Sequence, residues 1–254
     1  MAAVLKLKNI LLGCAAAALA AILVAAVYLS GSYAVFAGNG GRLIPIYSVG
    51  RDDKHISITF DCAWGTDYTP AILEALEKYS VNATFFMVQF WAEKYADVVA
   101  DIDAAGNEIG THSKTHSHMP SLSAEDITAE LKSSAQAITN ITGKQVDLFR
   151  APFGDYNNKV ISAAQSCGMY TIQWDVDSLD WKDLSAAQIV QRVTSRVQSG
   201  SIILMHNNGL HTAEAVPVIL QTLIDRGYTF VPVGQLIYRQ NFTIDPNGRQ
   251  QPQG

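Results

Sequence analysis

The chain has 254 residues, 48% of them apolar and 16% charged, with a net charge of −5. That is enough apolar material for one sizeable core, in one or two domains. A mildly acidic chain without a basic stripe is not built for nucleic acid, and three irregularly spaced cysteines do not make a disulfide framework.

Lys6 and Lys8 precede an uncharged apolar run at residues 10–29, ILLGCAAAALAAILVAAVYL. Its length matches the roughly 20 residues that cross a bilayer. The lysines orient the remainder of the chain away from the cytoplasm. Residues 1–30 are therefore read as a cytoplasmic tip and a single-pass transmembrane signal-anchor in the cell membrane, with the rest extracytoplasmic. The alternative is a signal peptide cut near SGSYAVFAG, which would leave a secreted protein. Residues 31–51, rich in glycine and containing IPIYSV, read as a linker and an edge strand.

From residue 55 onward, apolar runs alternate with amphipathic stretches. The strand-like runs are HISITF (55–60), ATFFMV (83–88), EIGTH (108–112), LFRAP (148–152), MYTIQWDV (169–176), SIILMH (201–206) and YTFVPV (228–233). Several are near-continuous apolar runs, as expected of strands covered on both faces. The stretches between them carry helix signals: Thr69 as an N-cap before Pro70, SAED at 123–126, SAAQ at 185–188, and glycines where helices would stop. Alternating β and α segments predict an α/β fold with a parallel sheet, open or closed into a barrel. The closing DPNGRQQPQG reads as a flexible tail over 241–254.

Function in such folds gathers at the carboxyl ends of the strands. Here those ends carry Asp61-Cys62, His112 and His116, Arg150 to Gly154, Asp175 to Trp181, and His206. Each alone is weak. A lone H-x-x-x-H pair is more often incidental than metal-binding, a buried arginine usually pairs for structure, and a strand-end histidine can be a satisfied polar group. Taken together they assemble a hydrolytic site. Two imidazoles four residues apart can hold a divalent cation, zinc first, which would lower the pKa of a bound water. A carboxylate would serve as base and a histidine opposite as acid. His55 and His118 read as structural and exposed, His211 as facing substrate or solvent, and Asp67 as the start of a helix.

The segments TFD, HSKTH, RAPFG, DVDSLDW and LMH, in this order, resemble the five motifs of the polysaccharide deacetylases, carbohydrate esterase family 4, also called the NodB-homology domain. The resemblance spans about residues 52–238. FDCAWG and the short anchored layout look most like the sporulation-associated subgroup. The family implies a distorted (β/α) barrel of about seven parallel strands, here over residues 52–240. It also implies metal-dependent N-deacetylation of GlcNAc or MurNAc units in peptidoglycan or a chitin-like polymer, outside the cytoplasmic membrane. By motif position, Asp61 would be the general base, held ionised by Arg150. His112 and His116 would be metal ligands, and the Phe153 N–H would bind the oxyanion. His206 would be the general acid, oriented by Asp180. Trp181 and Leu204 would line the acetyl pocket, while Asp175 and Ser178 complete the fifth-strand motif.

Cys62 stands where the family usually has a second aspartate that ligates the metal. Two readings are open: a thiolate that substitutes as third ligand to zinc or cobalt, or a small buried cysteine that packs as a hydrophobe and leaves the metal weakly held. The first fits an anchored hydrolase acting on a glycan polymer. The second fits a degenerate, non-catalytic glycan-binding relative. A small-molecule amidohydrolase suits the anchor less well. Beyond glycan and membrane, no partner is indicated.

Overall fold

The strand β1 (Ser48–Val49) leads into β2 (His55–Cys62), whose buried residues make it the spine of the fold. A computed structural model describes residues 41–253. The expected span at 10–29 lies outside them, and among the described residues no helix is long and apolar enough to cross a membrane. After β2 the chain runs through α1 (Thr69–Lys78), β3 (Thr84–Met87), α2 (Gln89–Lys94), α3 (Ala96–Ala104) and β4 (Glu108–Thr111). Next come α4 (Ala124–Thr142), β5 (Leu148–Phe149), α5 (Asn158–Ser166), β6 (Tyr170–Thr171) and β7 (Val176–Asp177). The remainder is α6 (Ala186–Thr194), β8 (Ile202–His206), α7 (Thr212–Asp225), β9 (Thr229–Phe230), α8 (Val233–Leu236), β10 (Phe242–Ile244) and β11 (Arg249–Pro252).

Seven parallel strands pair in the order β6-β5-β4-β3-β2-β8-β7, and β9 joins beside the first residues of β2. The sheet stays open between β6 and β7. The predicted run MYTIQWDV splits there because its middle pairs elsewhere. Gln173 N donates to Ile46 O at 2.7 Å, and the Asp175 carboxylate accepts from Ile202 N and Ser201 Oγ, both at 2.8 Å. The outcome is a curled half-barrel rather than a closed one.

Strand parity decides what reaches the mouth of the half-barrel, since successive side chains point to opposite faces. Along β2, Ile56, Ile58, Phe60 and Cys62 are all fully buried in one apolar cluster with Ile72 and Leu76 of α1 and Ile219, Leu220 and Leu223 of α7. Ser57, Thr59 and Asp61 face the interior, where Ser57 Oγ donates to Val231 O at 2.6 Å and Thr59 Oγ1 donates to Ile203 O at 2.6 Å. In register, Asp61 lies opposite His206, Cys62 opposite Met87, and Met87 opposite Thr111. The carboxyl ends of β2, β3, β4 and β8 therefore form one rim.

Two local readings are corrected. Helix α1 starts at Thr69 itself, with Tyr68 before it; the Thr69 hydroxyl is engaged instead as acceptor from Asn207 Nδ2 at 3.0 Å. Residues 241–253, the described part of the expected flexible tail over 241–254, do not form one. β10 and β11 pair antiparallel, and β11 pairs parallel with β1. The turn between them uses Gly248 at φ 81°, and Asp245 Oδ1 accepts from Asn247 N and Arg249 N at 2.8 and 3.0 Å. Gln250 is fully buried and exchanges two hydrogen bonds with the Tyr238 backbone, at 2.8 and 2.7 Å.

Candidate active site

At the rim, the register of β2 and β8 sets Asp61 beside His206. Both line a cavity of about 730 Å³. Of the ten residues given a catalytic, ligand or substrate role from the sequence, eight line it: Asp61, His112, His116, Phe153, Asp180, Trp181, Leu204 and His206. Arg150 lies directly behind, fully buried, between the rings of Phe86 and Trp174. Its Nη1 donates to Asp61 Oδ1 at 2.7 Å and to Thr59 Oγ1 at 2.8 Å, and its Nη2 to Gln173 O at 3.2 Å. Burial pushes the Asp61 carboxyl up, but the Arg150 charge and its hydrogen bond outweigh it and hold the group below its ordinary 3.8.

Removing one partner of a buried pair leaves the other charge uncompensated. Arg150→Met is expected to lower the unfolding free energy by about 3–5 kcal/mol in chemical denaturation; a loss below about 1 kcal/mol, the scale of an exposed pair, would mean that Asp61 is not held ionised by this contact.

On β8, His206 is anchored through Asp180. Asp180 Oδ1 accepts from His206 Nδ1 at 2.7 Å, while Oδ2 accepts from His206 N at 2.8 Å and from Thr212 Oγ1 at 2.6 Å. Burial lowers the imidazole pKa, yet the Asp180 hydrogen bond and the charges of Asp180, Asp61 and Asp177 override it and raise the value above 6.5. One carboxylate is thus biased toward its ionised form and one imidazole toward its protonated form, side by side.

The two other histidines are held neutral. Burial lowers the pKa of His112, and burial together with His112 lowers that of His116 to about 4. His112 Nδ1 donates to Arg150 O at 2.8 Å, so its Nε2 is a bare acceptor, 3.5 Å from Asp61 Oδ2. Two acceptors facing each other with no proton between them suit a cation or a water. The ring of His116 lies 5.0 Å from that of His112, between Trp64 at 4.8 Å and Phe153 at 4.6 Å. Its loop contains two non-glycine residues at positive φ, Ser113 at 75° and His116 at 57°. Glu130 of α4 stabilises that loop: Oε2 accepts from Lys114 N and Thr115 N at 2.9 and 2.8 Å, and Oε1 from Thr115 Oγ1 at 2.9 Å.

Cys62, the candidate third ligand, is not brought to the cavity; the structure has it as the buried hydrophobe of the other reading. It is fully buried, its Sγ lies 3.8 Å from Phe60 O, and it packs in the apolar cluster beneath α1 and α7. The parity of a strand that stays regular through residue 62 turns the thiol away from Asp61. Burial, and then the Asp61 charge, push its pKa well up, so the metal-binding thiolate form is disfavoured. Among the described residues no group of three His, Cys, Asp or Glu is arranged to hold a metal ion. The donor set for a catalytic metal is therefore two imidazoles, one ligand short of the usual three.

Several cavity residues are given no role from the sequence. Trp64, Trp174, Asp177 and Leu210 line the wall, and Glu130 acts from a helix with no motif around it. Asp175 pins the start of β8 and does not line the cavity. His55 pairs with Asp53 at 2.9 Å, and exposed His118 pairs with Asp155 at 3.0 Å. His211 faces Glu214 at 3.4 Å.

A family model described as polysaccharide deacetylase matches residues 48–172. The chain is 32% identical to a peptidoglycan-N-acetylglucosamine deacetylase of Bacillus cereus, covering 75% of this chain and 92% of that protein. It is 33% identical to the peptidoglycan-N-acetylmuramic acid deacetylase PdaC of Bacillus subtilis, over 74% of this chain and 40% of PdaC. Of two curated relatives the chain spans only 40% and 60% of the length. Among solved structures, BA3943 of Bacillus anthracis, described as a CE4 family pseudoenzyme, superposes with a TM-score of 0.74 at 31% identity, covering 83% of this chain and 73% of that one. A mutant of BA3943 described as having restored enzymatic activity also gives a TM-score of 0.74, at 35% identity over 76% of this chain and 70% of that one.

Proposed function

We infer from two facts, that the chain belongs to the polysaccharide deacetylase family and that Asp61 lies beside His206 at the rim of one cavity, that it removes N-acetyl groups from amino sugars of a glycan polymer, peptidoglycan above all. The placement of an Arg150-paired carboxylate beside an Asp180-bound imidazole carries the reading. Hydrolysis of an acetamide needs a base for the attacking water, donors for the oxyanion and an acid for the departing amine. Asp61, ionised against Arg150, takes the proton of the water. The Phe153 N–H donates to the developing oxyanion. His206, its pKa raised by Asp180, gives a proton to the sugar nitrogen, so that amide and water become acetate and amine. Trp181 and Leu204 enclose the methyl group. A divalent metal, zinc first and cobalt second, would supply Lewis-acid chemistry at His112 and His116. The donor set is incomplete, so the roles above are those of the chain's own groups.

The uncharged run at 10–29 behind Lys6 and Lys8 supports an anchored protein acting outside the cytoplasmic membrane. The resemblance carried by FDCAWG supports a role in spore envelope or cortex formation.

A second reading is favoured by Cys62. With its thiol in the core, and with a family pseudoenzyme among its structural neighbours, the chain would bind glycan without hydrolysing it. Acetate release from N-acetylated glycan strands by the full chain, raised by added zinc and removed by chelator, decides between the two. No release under any metal supports the second.

The pH profile tests the acid and base. Activity needs Asp61 ionised and His206 protonated, so it falls on the acid side as Asp61 protonates and on the alkaline side through the raised His206 pKa. Asp180→Asn removes the charge that raises that value and is expected to move the alkaline limb to lower pH. An unmoved limb would remove His206 as the acid. The stability linkage has the same sign: the imidazolium contribution is fully present below 6.5 and is lost as pH rises through the raised folded-state value.

A further inference from the structure

Trp64, Phe153, Trp181 and Leu210 are 63%, 58%, 57% and 52% exposed, and they are four of the six large hydrophobic side chains exposed among the described residues. All four rim the same cavity. A cluster of apolar groups left in water around a concave site marks a binding surface. One acetamide at Asp61 and His206 accounts for Trp181 and Phe153. It does not account for Trp64, whose indole stacks edgewise on His116 at 4.8 Å and continues a row of rings through His116 to Phe153.

The backbone that carries Trp64 is held in place. Gly65 O accepts from Trp91 Nε1 at 2.8 Å and from Asn207 Nδ2 at 3.0 Å. Gly65 itself sits at φ 61°, where a Cβ would come within 2.3 Å of Asn208 Nδ2. The indole is therefore presented to solvent from a fixed turn, at low ordering cost to a ligand. A rigid, neutral aromatic surface beside a cavity of about 730 Å³ suits an amphipathic ring with one apolar C–H face, which a pyranose sugar provides.

We propose that Trp64 is the stacking platform for the sugar next to the one whose acetamide reaches Asp61, so that the site takes linked runs of N-acetylated amino sugars in preference to single ones. This rests on the deacetylase reading for the identity of the ligand, and on Trp64 alone for the chain-length preference. The test is calorimetric titration of the full chain, in detergent with chelator present, against N-acetylglucosamine and its β-1,4-linked tetramer. Wild type is expected to bind the tetramer more tightly than the monomer. Trp64→Ala should weaken the tetramer about tenfold, the factor matching the upper end of aromatic pair energies, and leave the monomer unchanged, with Trp64→Phe recovering most of the loss. Equal tetramer affinity in wild type and Trp64→Ala, or no tetramer preference in wild type, overturns the proposal. Acetate release measured in a parallel assay, with zinc added and no chelator, separates the two ideas. A Trp64-dependent tetramer preference without acetate release strikes the catalytic reading alone, and acetate release without that preference strikes the platform alone.

Discussion

Asp61→Asn is expected to lower acetate release about 10²–10⁴-fold, the usual contribution of a positioned general base, while the protein still folds and still binds glycan. The substitution keeps the shape and one acceptor oxygen, so the hydrogen bond from Arg150 Nη1, now 2.7 Å, can persist. What it removes is the capacity to take a proton. It also leaves the fully buried Arg150 without its counter-charge, so denaturation must be measured alongside activity to separate lost chemistry from lost fold. His206→Ala should cost a comparable factor, and the double variant should cost little more than either alone, because an acid and a base serving one reaction act as a unit. Wild-type acetate release by either single variant would remove these two residues from the reaction, however well the cavity binds glycan.

Much of this arrangement is legible in the residues. The β–α alternation predicts the parallel sheet, and the polar groups at five strand ends predict a shared rim. The orientation of Cys62 is legible too: in a strand where positions 56, 58 and 60 are Ile, Ile and Phe, position 62 shares their face and Asp61 opposes it. Reading Cys62 as a ligand sets motif position above strand period, and the strand period prevails because β2 pairs regularly with β3 through residue 62. The DPNG turn of the last hairpin, between NFTI and RQQP, is likewise a local hairpin signal; reading it as tail gives weight to composition over turn chemistry. Other features have no local signature. That Asp61 and His206 are register partners follows from strand order, which periodicity does not encode. Glu130 sits in α4 among ordinary solvent-facing residues, and only the packing of that helix against the His116 loop gives its carboxylate three donors.

Cys62→Asp is expected to raise affinity for zinc and cobalt by more than about tenfold, equivalent to about 1.4 kcal/mol, and to raise acetate release with it. The thiol stays in the apolar cluster because a small, protonated Cys behaves there as a hydrophobe. An ionised carboxylate in the same place would cost several kcal/mol unless paired. That cost drives it toward the end of β2, where the chain bends at Ala63 and Trp64 and where His112 and His116 already present neutral imidazoles. A carboxylate also reaches one bond further from the backbone than a thiol, and it supplies the oxygen donor that completes a three-ligand set. Two measurements distinguish the outcomes: metal titration followed by cobalt absorption or calorimetry, and chemical denaturation without metal. Higher metal affinity with stability near wild type means that position 62 alone sets the deficit in this site. Reduced stability with unchanged metal affinity means that the carboxylate is trapped in the core, that two histidines are all the chain offers a metal, and that the glycan-binding reading of the cavity takes precedence over the hydrolytic one.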